Sequence, residues 1–225
     1  MYVGRIMCTD LVTVPMSATL IEAEDLLKEN NIKHLIVIDE KDVLVGIISD
    51  RDVKLNQASP ATTLSTHELN YLLGQLTVGM IMAKNVITIS PDATIERAAF
   101  IMQQNSISSL PVVENNETVG IITTTDVVDV LLEAIGVQED CLRIIVLVGH
   151  TPGIIGNLTG VLGNADINIQ SLITWPEKGH DEIFQVVIRV ASESGERAVK
   201  TLKDAGYNVL TKYVKDHTPF IPEDK

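Results

Sequence analysis

Aromatic residues are scarce in this chain: three Phe, four Tyr and one Trp make up 4% of 225 residues. Any core must therefore be filled by Ile, Leu and Val, and a hydrophobic content of 45% is enough to rule out the composition of a disordered chain. Cysteine is scarcer still. Cys8 and Cys141 stand alone, so neither a disulfide framework nor a cysteine-based zinc site is available. Basic residues are also few, 17 Lys and Arg against 30 Asp and Glu, for a net charge of −13. Without a basic stripe, nucleic acid and anionic membrane are disfavoured as partners. No apolar run approaches the roughly 18 residues of a membrane span, and no charged-then-apolar leader opens the chain, so the expected location is cytoplasmic.

Catalytic signatures are missing too. The sequence holds no Gly-x-x-x-x-Gly-Lys phosphate loop, no Gly-x-Ser-x-Gly elbow and no Gly-x-Gly-x-x-Gly fingerprint. His34, His67, His150, His180 and His217 have no metal-ligand spacing. The expectation is a protein that is not an enzyme and requires no cofactor or metal.

What the chain does have is an internal repeat. The stretch Val3-Gly4-Arg5-Ile6-Met7 to Val53 matches Val78-Gly79-Met80-Ile81-Met82 to Val127. Thr13 and Thr88, Ile32 and Ile107, and Val37 and Val112 are 75 apart; Gly46 and Gly120, and Asp52 and Asp126, are 74 apart. The one-residue slip falls between Glu40–Leu44 and Asn115–Thr118, where a turn can shorten. Each unit reads β-α-β-β-α, with Ser17-Ala18-Thr19 and Pro91-Asp92-Ala93-Thr94 supplying helix caps. Turn-prone residues and a helix over Thr66–Leu76 separate the units. A lone unit leaves a sheet face bare, and pairing with its twin would cover it.

Each unit closes on Gly-Ile-Ile-Ser/Thr-x-x-Asp. Ser49 and Thr123 sit at a strand-to-helix turn, where a hydroxyl caps the helix or meets a phosphate. Asp52 and Asp126 follow in the first helical turn, where a carboxylate serves either a capping box or a ribose diol. The units differ at the start of the next-to-last strand, which is Lys33-His34 in the first and Ser108-Ser109 in the second. Arg51 and Lys54 add positive charge near Asp52.

Two such units resemble a tandem cystathionine-β-synthase (CBS) domain pair, over about Val3–Leu132. The resemblance implies that an adenine nucleotide (AMP, ADP or ATP) or S-adenosylmethionine binds between the repeats. It implies that Ser49, Asp52, Thr123 and Asp126 contact phosphate and ribose. Thr13-Val14 and Thr88-Ile89 would lend backbone near the base, and Lys33 and His34 would reach phosphate. Pro111 stands where the family usually has proline, and Ile36 replaces it in the first unit. Because each cleft draws on both repeats, either aspartate is a partner for Lys33 and His34.

From Leu142 the pattern becomes βαββαβ, a ferredoxin-like order. Strands are expected over Leu142–Val148, Ile167–Thr174, Ile183–Val190 and Tyr207–Val214. Helices are expected over Ile154–Leu162, ended by Gly163-Asn164, and over Ser192–Ala205. Val-Gly-His-Thr-Pro-Gly-Ile-Ile followed by Asn-Ile-Gln-Ser-Leu resembles an ACT domain, a small-molecule regulatory module. Its ligand turn would be His150, Pro152, Gly153 and Ile154, with His150 where the family often has an acid. A turn glycine before a helix explains Gly153 equally well. The alternative to a ligand role is that Ile144–Val148 and Val186–Val190 form sheet edges used in dimerisation.

The whole is thus read as an α/β (α+β) protein. Residues 1–54 form a first repeat, 55–77 a linker, 78–135 a second repeat, 141–215 an ACT domain and 216–225 a loose tail. The arrangement resembles the bacterial acetoin-utilisation accessory proteins. It implies a ligand sensor that forms a homodimer and relays occupancy to its ACT domain, through Leu131–Asp140, or to an unknown protein target. A scaffold with degenerate clefts and an accessory subunit of an enzyme are the rival readings.

Overall fold

The structure is a computed structural model that describes residues 1–56, 74–137 and 140–222. It divides into two compact units, Met1–Val128 and Asp129–Lys225. Of the expected linker helix, all but the final residues lie outside the described residues.

In the first unit, the first repeat follows the expected order. β1 (Thr13–Pro15), α1 (Leu20–Glu29), β2 (His34–Ile38), β3 (Leu44–Ser49) and α2 (Asp50–Leu55) succeed one another. Thr19 and Glu22 form a capping box at the start of α1, which fixes where that helix begins. The leading segment of the second repeat is a short helix, α3 (Val78–Ile81). Then come α4 (Ile95–Asn105), β4 (Ser109–Glu114), β5 (Glu117–Thr123) and α5 (Thr124–Ile135), the last crossing the division between the units. The second repeat's first strand is reduced to a single parallel bridge, Ile89 with Val112.

The hairpins explain the slip between the repeats. In the second, Glu114 pairs with Glu117 across Asn115-Asn116, both with positive φ (50° and 67°), a two-residue turn. In the first, Ile38 pairs with Leu44, and a longer loop is tied by Asp39 Oδ1, which accepts from the amides of Lys41 and Val43.

The repeats also exchange their leading segments. Val3 and Gly4 donate backbone hydrogen bonds to Ala93 and Pro91 of the second repeat, and Cys8 bridges Ile121. Reciprocally, Val78 donates to Ala18, and Ala83 bridges Ile47 of the first repeat. Val78 and Met82 are buried in the first repeat's core with Leu20, Leu35 and Ile48.

The second unit contains β6 (Cys141–Gly149), α6 (Ile154–Asn164), β7 (Ser171–Glu177), β8 (His180–Ala191), α7 (Ser192–Asp204) and β9 (Val209–Leu210). The sheet is ordered β7-β8-β6-β9. β6 and β8 are therefore its central strands, which corrects the expectation that they form its edges; the edges are β7 and the two-residue β9. α6 runs through Gly163 and Asn164, and the left-handed residue that ends it is Asp166 (φ 55°). β7 runs past the expected strand end at Thr174 to include Pro176. Ile144, Val146, Val186 and Ile188 pack against Leu158, Leu162 and Leu202 of the two helices.

On the other sheet face, Ile145, Val187 and Leu210 are covered by Val214 and Phe220. Asn208 Nδ2 donates to the Phe220 carbonyl, and His217 Nδ1 lies 3.1 Å from Glu177 Oε1. Phe220 is thus packed on the sheet and His217 is held beside Glu177, where a loose tail was expected. The apolar Phe220 supplies the reason, since it finds a bare apolar strip. Also in this unit, the carbonyl of Ile135, at the end of α5, accepts from Ser171 Oγ and from Arg189 Nη1 at 2.6 Å.

Candidate functional site

The exchange of leading segments builds two clefts in the first unit. In the second-strand glycines it leaves no room for a side chain. A Cβ on Gly120 would lie 2.5 Å from Met7 Sδ and 3.1 Å from the Cys8 carbonyl; one on Gly46 would meet Met82 and stand 3.2 Å from the Ala83 carbonyl. The close neighbour of these glycines is the exchanged segment of the twin repeat, which therefore lies along each cleft wall.

The larger cleft, about 780 Å3, is lined by Asp10, Leu11 and Val12, by Lys33, His34 and Ile36, and by Thr123 and Asp126. The smaller, about 570 Å3, is lined by the matching positions Asn85, Val86 and Ile87, Ser108, Ser109 and Pro111, and Ser49 and Asp52. Each cleft thus combines the leading segment and third-element strand of one repeat with the Ser/Thr-x-x-Asp of the other. Lys33 joins Asp126. Arg51 lines both clefts, as do His34, Ser49 and Ser108.

The side chains of Thr13, Val14, Thr88 and Ile89 do not line either cavity. Val14 and Ile89 are core residues, 1% and 7% exposed, and the lining positions come one or two residues earlier. Asp10 and Asp50, both lining the larger cleft, were missed by sequence reasoning. The 75-residue offset between Asp10 and Asn85 was the available signal.

At each helix start, the carboxylate does two things. Asp126 Oδ2 accepts from the Thr123 amide and hydroxyl, both at 2.7 Å, and the Asp126 amide donates back to Thr123 Oγ1 at 3.4 Å. Asp52 Oδ2 accepts from the Ser49 amide and hydroxyl at 2.8 and 2.6 Å. The cap uses one carboxylate oxygen. Among the described residues no donor reaches the other, Oδ1, in either aspartate. Capping and ligand contact therefore do not compete: the first orients the group for the second. The Thr123 and Ser49 hydroxyls have spent their protons on the caps, which leaves them acceptors. The cationic donors for an anion in the larger cleft are Lys33 and Arg51.

His34 is half-buried, and its Nε2 lies 2.9 Å from Ser108 Oγ. Burial pushes its pKa below the ordinary value, outweighing the pull of Asp50 and Asp52 in the opposite direction. The imidazole is therefore neutral near pH 7 and offers a hydrogen bond, not the positive charge expected of it.

In the second unit, Gly153 caps α6 with φ 85°, a left-handed conformation that requires glycine, and a Cβ there would meet nothing within 4 Å. His150 stacks on Phe184 with ring centroids 4.2 Å apart. Pro152 is exposed and Ile154 partly buried.

The CBS domain family matches residues 3–58 and 78–133, and the ACT domain family matches 142–207. The chain belongs to the CBS-domain proteins, as a tandem CBS pair followed by a C-terminal ACT domain. Its CBS region is 32% identical over 120 residues to the CBS domain-containing protein YhcV of Bacillus subtilis, covering 53% of this chain and 78% of that one. Homoserine O-acetyltransferase of Methanosalsum zhilinae is 36% identical over 126 residues, 56% of this chain, but the match spans only 23% of that enzyme. Among solved structures, the CBS domain pair of protein MJ0100 was determined with 5′-methylthioadenosine and S-adenosyl-L-methionine. It aligns over 58% of this chain and 95% of its own, at 29% identity and a TM-score of 0.49. A Vibrio cholerae protein assigned to acetoin utilization aligns over 62% and 96%, at 28% identity and a TM-score of 0.49. Among the described residues, no helix is long and apolar enough to cross a membrane.

Proposed function

We propose that the chain is a regulatory sensor, not a catalyst, whose CBS pair binds an adenine nucleotide or related adenosyl ligand in the cleft of Asp126. The observation that carries this reading is the division of labour at Asp126: Oδ2 is committed to the Thr123 cap, and Oδ1 is left to accept from a ribose hydroxyl. A carboxylate fixed before the ligand arrives lowers the ordering cost of binding. Lys33 and Arg51 line the same cleft and are the cations for a phosphate. Asp10 and Asp50 line it too, so a polyanion is opposed. AMP and ADP are favoured over ATP unless a cation accompanies it. S-adenosylmethionine, positively charged at sulfur, is the other candidate.

Asp52, Ser49 and Pro111 form the second, smaller place for such a ligand. Backbone of Thr13-Val14 and Thr88-Ile89 would approach the base. Binding shifts the clefts between open and closed forms only by differential affinity for the two. The shift is relayed to the ACT domain or to a target protein, from a homodimer. Melting curves against a panel of adenine nucleotides and S-adenosylmethionine test the reading. A melting temperature that rises with ligand concentration supports a sensor, and none that rises supports a scaffold with degenerate clefts.

A further inference from the structure

The second unit holds a polar cavity of about 670 Å3 that the proposed nucleotide site does not use. Its walls include Arg143 on the open sheet face, Glu177 and Lys178 of the β7–β8 hairpin, and Lys212, Lys215 and His217 of the chain after β9. Four of the 17 Lys and Arg thus meet at one cavity in a chain of net charge −13.

Among the described residues, no carboxylate forms an ion pair with these cations: the pairs are Lys28–Glu24, Lys54–Asp50 and His217–Glu177. The cavity also holds two carboxylates, so four cations against two leave it net positive. Glu177, 8% exposed, accepts from Gln185 and His217; Asp216 accepts from the Thr218 amide.

Arg143 is the sharpest case. Its partner in register across β6 and β8 is Arg189, so two like charges stand directly opposite on one sheet face, an unfavourable pairing. Burial and Arg189 both lower its pKa from the ordinary value. Arg189 donates to the Ile135 carbonyl, whereas Arg143 finds no acceptor among the described residues. An oxyanion beside Arg143 would relieve the repulsion and match the guanidinium fork. The volume lies in the range of small-molecule sites.

We propose that this cavity is a second ligand site, for a small oxyanionic metabolite bearing a phosphate monoester or two or more carboxylates. Arg143 is its bidentate anchor, and Lys178, Lys212 and Lys215 surround it as point charges. The packing of Val214 and Phe220 on Ile145, Val187 and Leu210 holds the segment that carries two of those lysines. The site is independent of nucleotide binding by the CBS pair.

Calorimetry of the full chain with inorganic phosphate, and separately with citrate, in a chloride buffer tests it. We expect at least one of the two to bind, one per chain. Phosphate alone assigns the phosphate class and citrate alone the carboxylate class. Arg143→Gln should weaken binding by at least about tenfold, the loss of a charge-assisted hydrogen-bond pair. The double variant Lys212→Gln/Lys215→Gln changes only exposed side chains and should weaken it in the same direction, which keeps the test open if Arg143→Gln does not fold. Wild type binding neither anion, or affinity unchanged in the variants that fold, overturns the proposal.

Discussion

His34 Nε2 and Ser108 Oγ lie 2.9 Å apart, and both residues line both clefts. Their hydrogen bond is a shared wall between two sites that the repeat makes formally equivalent. Equivalence ends there, because the position matching Lys33 is Ser108 and the position matching His34 is Ser109. One cleft therefore gains the ammonium of Lys33, and the other gains a neutral serine.

That wall should titrate. The His34 pKa is held below its ordinary 6.5, chiefly by burial. A base that protonates more readily when unfolded contributes stability that is present above its ordinary pKa and lost as pH falls through the folded value. Thermal denaturation at about pH 7.5 and about pH 5.5 should show a larger fall in melting temperature for wild type than for His34→Gln. Equal falls would remove His34 from the account.

Gly120 should not tolerate a methyl group. A flexible Met7 can move aside, but the Cys8 carbonyl, 3.1 Å from the added Cβ, accepts from the Ile121 amide at 2.9 Å while the Cys8 amide donates to the Ile121 carbonyl at 2.9 Å. Gly120→Ala should destabilise the first unit by about 1–3 kcal/mol, an overpacking cost. Chemical denaturation gives the number, and a variant as stable as wild type would show that the exchanged segment is not held against β5.

The packing of the tail predicts a measurable role for Phe220. Replacing it by Ala uncovers part of the strip formed by Ile145, Val187 and Leu210. Partial burial of an aromatic ring corresponds to roughly 1–2 kcal/mol. Phe220→Ala should therefore lower the stability of the second unit by that amount in denaturant titration, and an unchanged midpoint would mean that the tail contributes nothing.

What was legible in the sequence was local. The Ser49–Asp52 and Thr123–Asp126 spacing sits in single helical turns, so both the caps and the candidate carboxylates could be read directly. The capping residues Thr19 and Thr94 marked the starts of α1 and α4, and the paired offsets marked the repeat. The exchange of leading segments was not legible, because it rests on isolated bridges such as Cys8 with Ile121, which leave no periodic trace. For the same reason the partner of Lys33 could not be chosen between Asp52 and Asp126. The tail was misread because Phe220 follows a polar stretch with two prolines nearby, and only the bare side of the sheet gives it something to cover. The edge assignment of β6 and β8 failed differently: a ferredoxin-like order places the first and third strands in the middle of the sheet.

The central claim is that the cleft of Asp126, rather than that of Asp52, is the tighter site for an adenine nucleotide. Asparagine is the discriminating replacement, since its carbonyl oxygen can keep the cap while its amide replaces the free acceptor with a donor. Isothermal calorimetry of AMP against wild type, Asp126→Asn and Asp52→Asn is the direct measurement. The account predicts that Asp126→Asn weakens binding by at least about tenfold, while Asp52→Asn stays within about twofold of wild type. AMP binding as tightly to Asp126→Asn as to wild type, or a loss confined to Asp52→Asn, would contradict it.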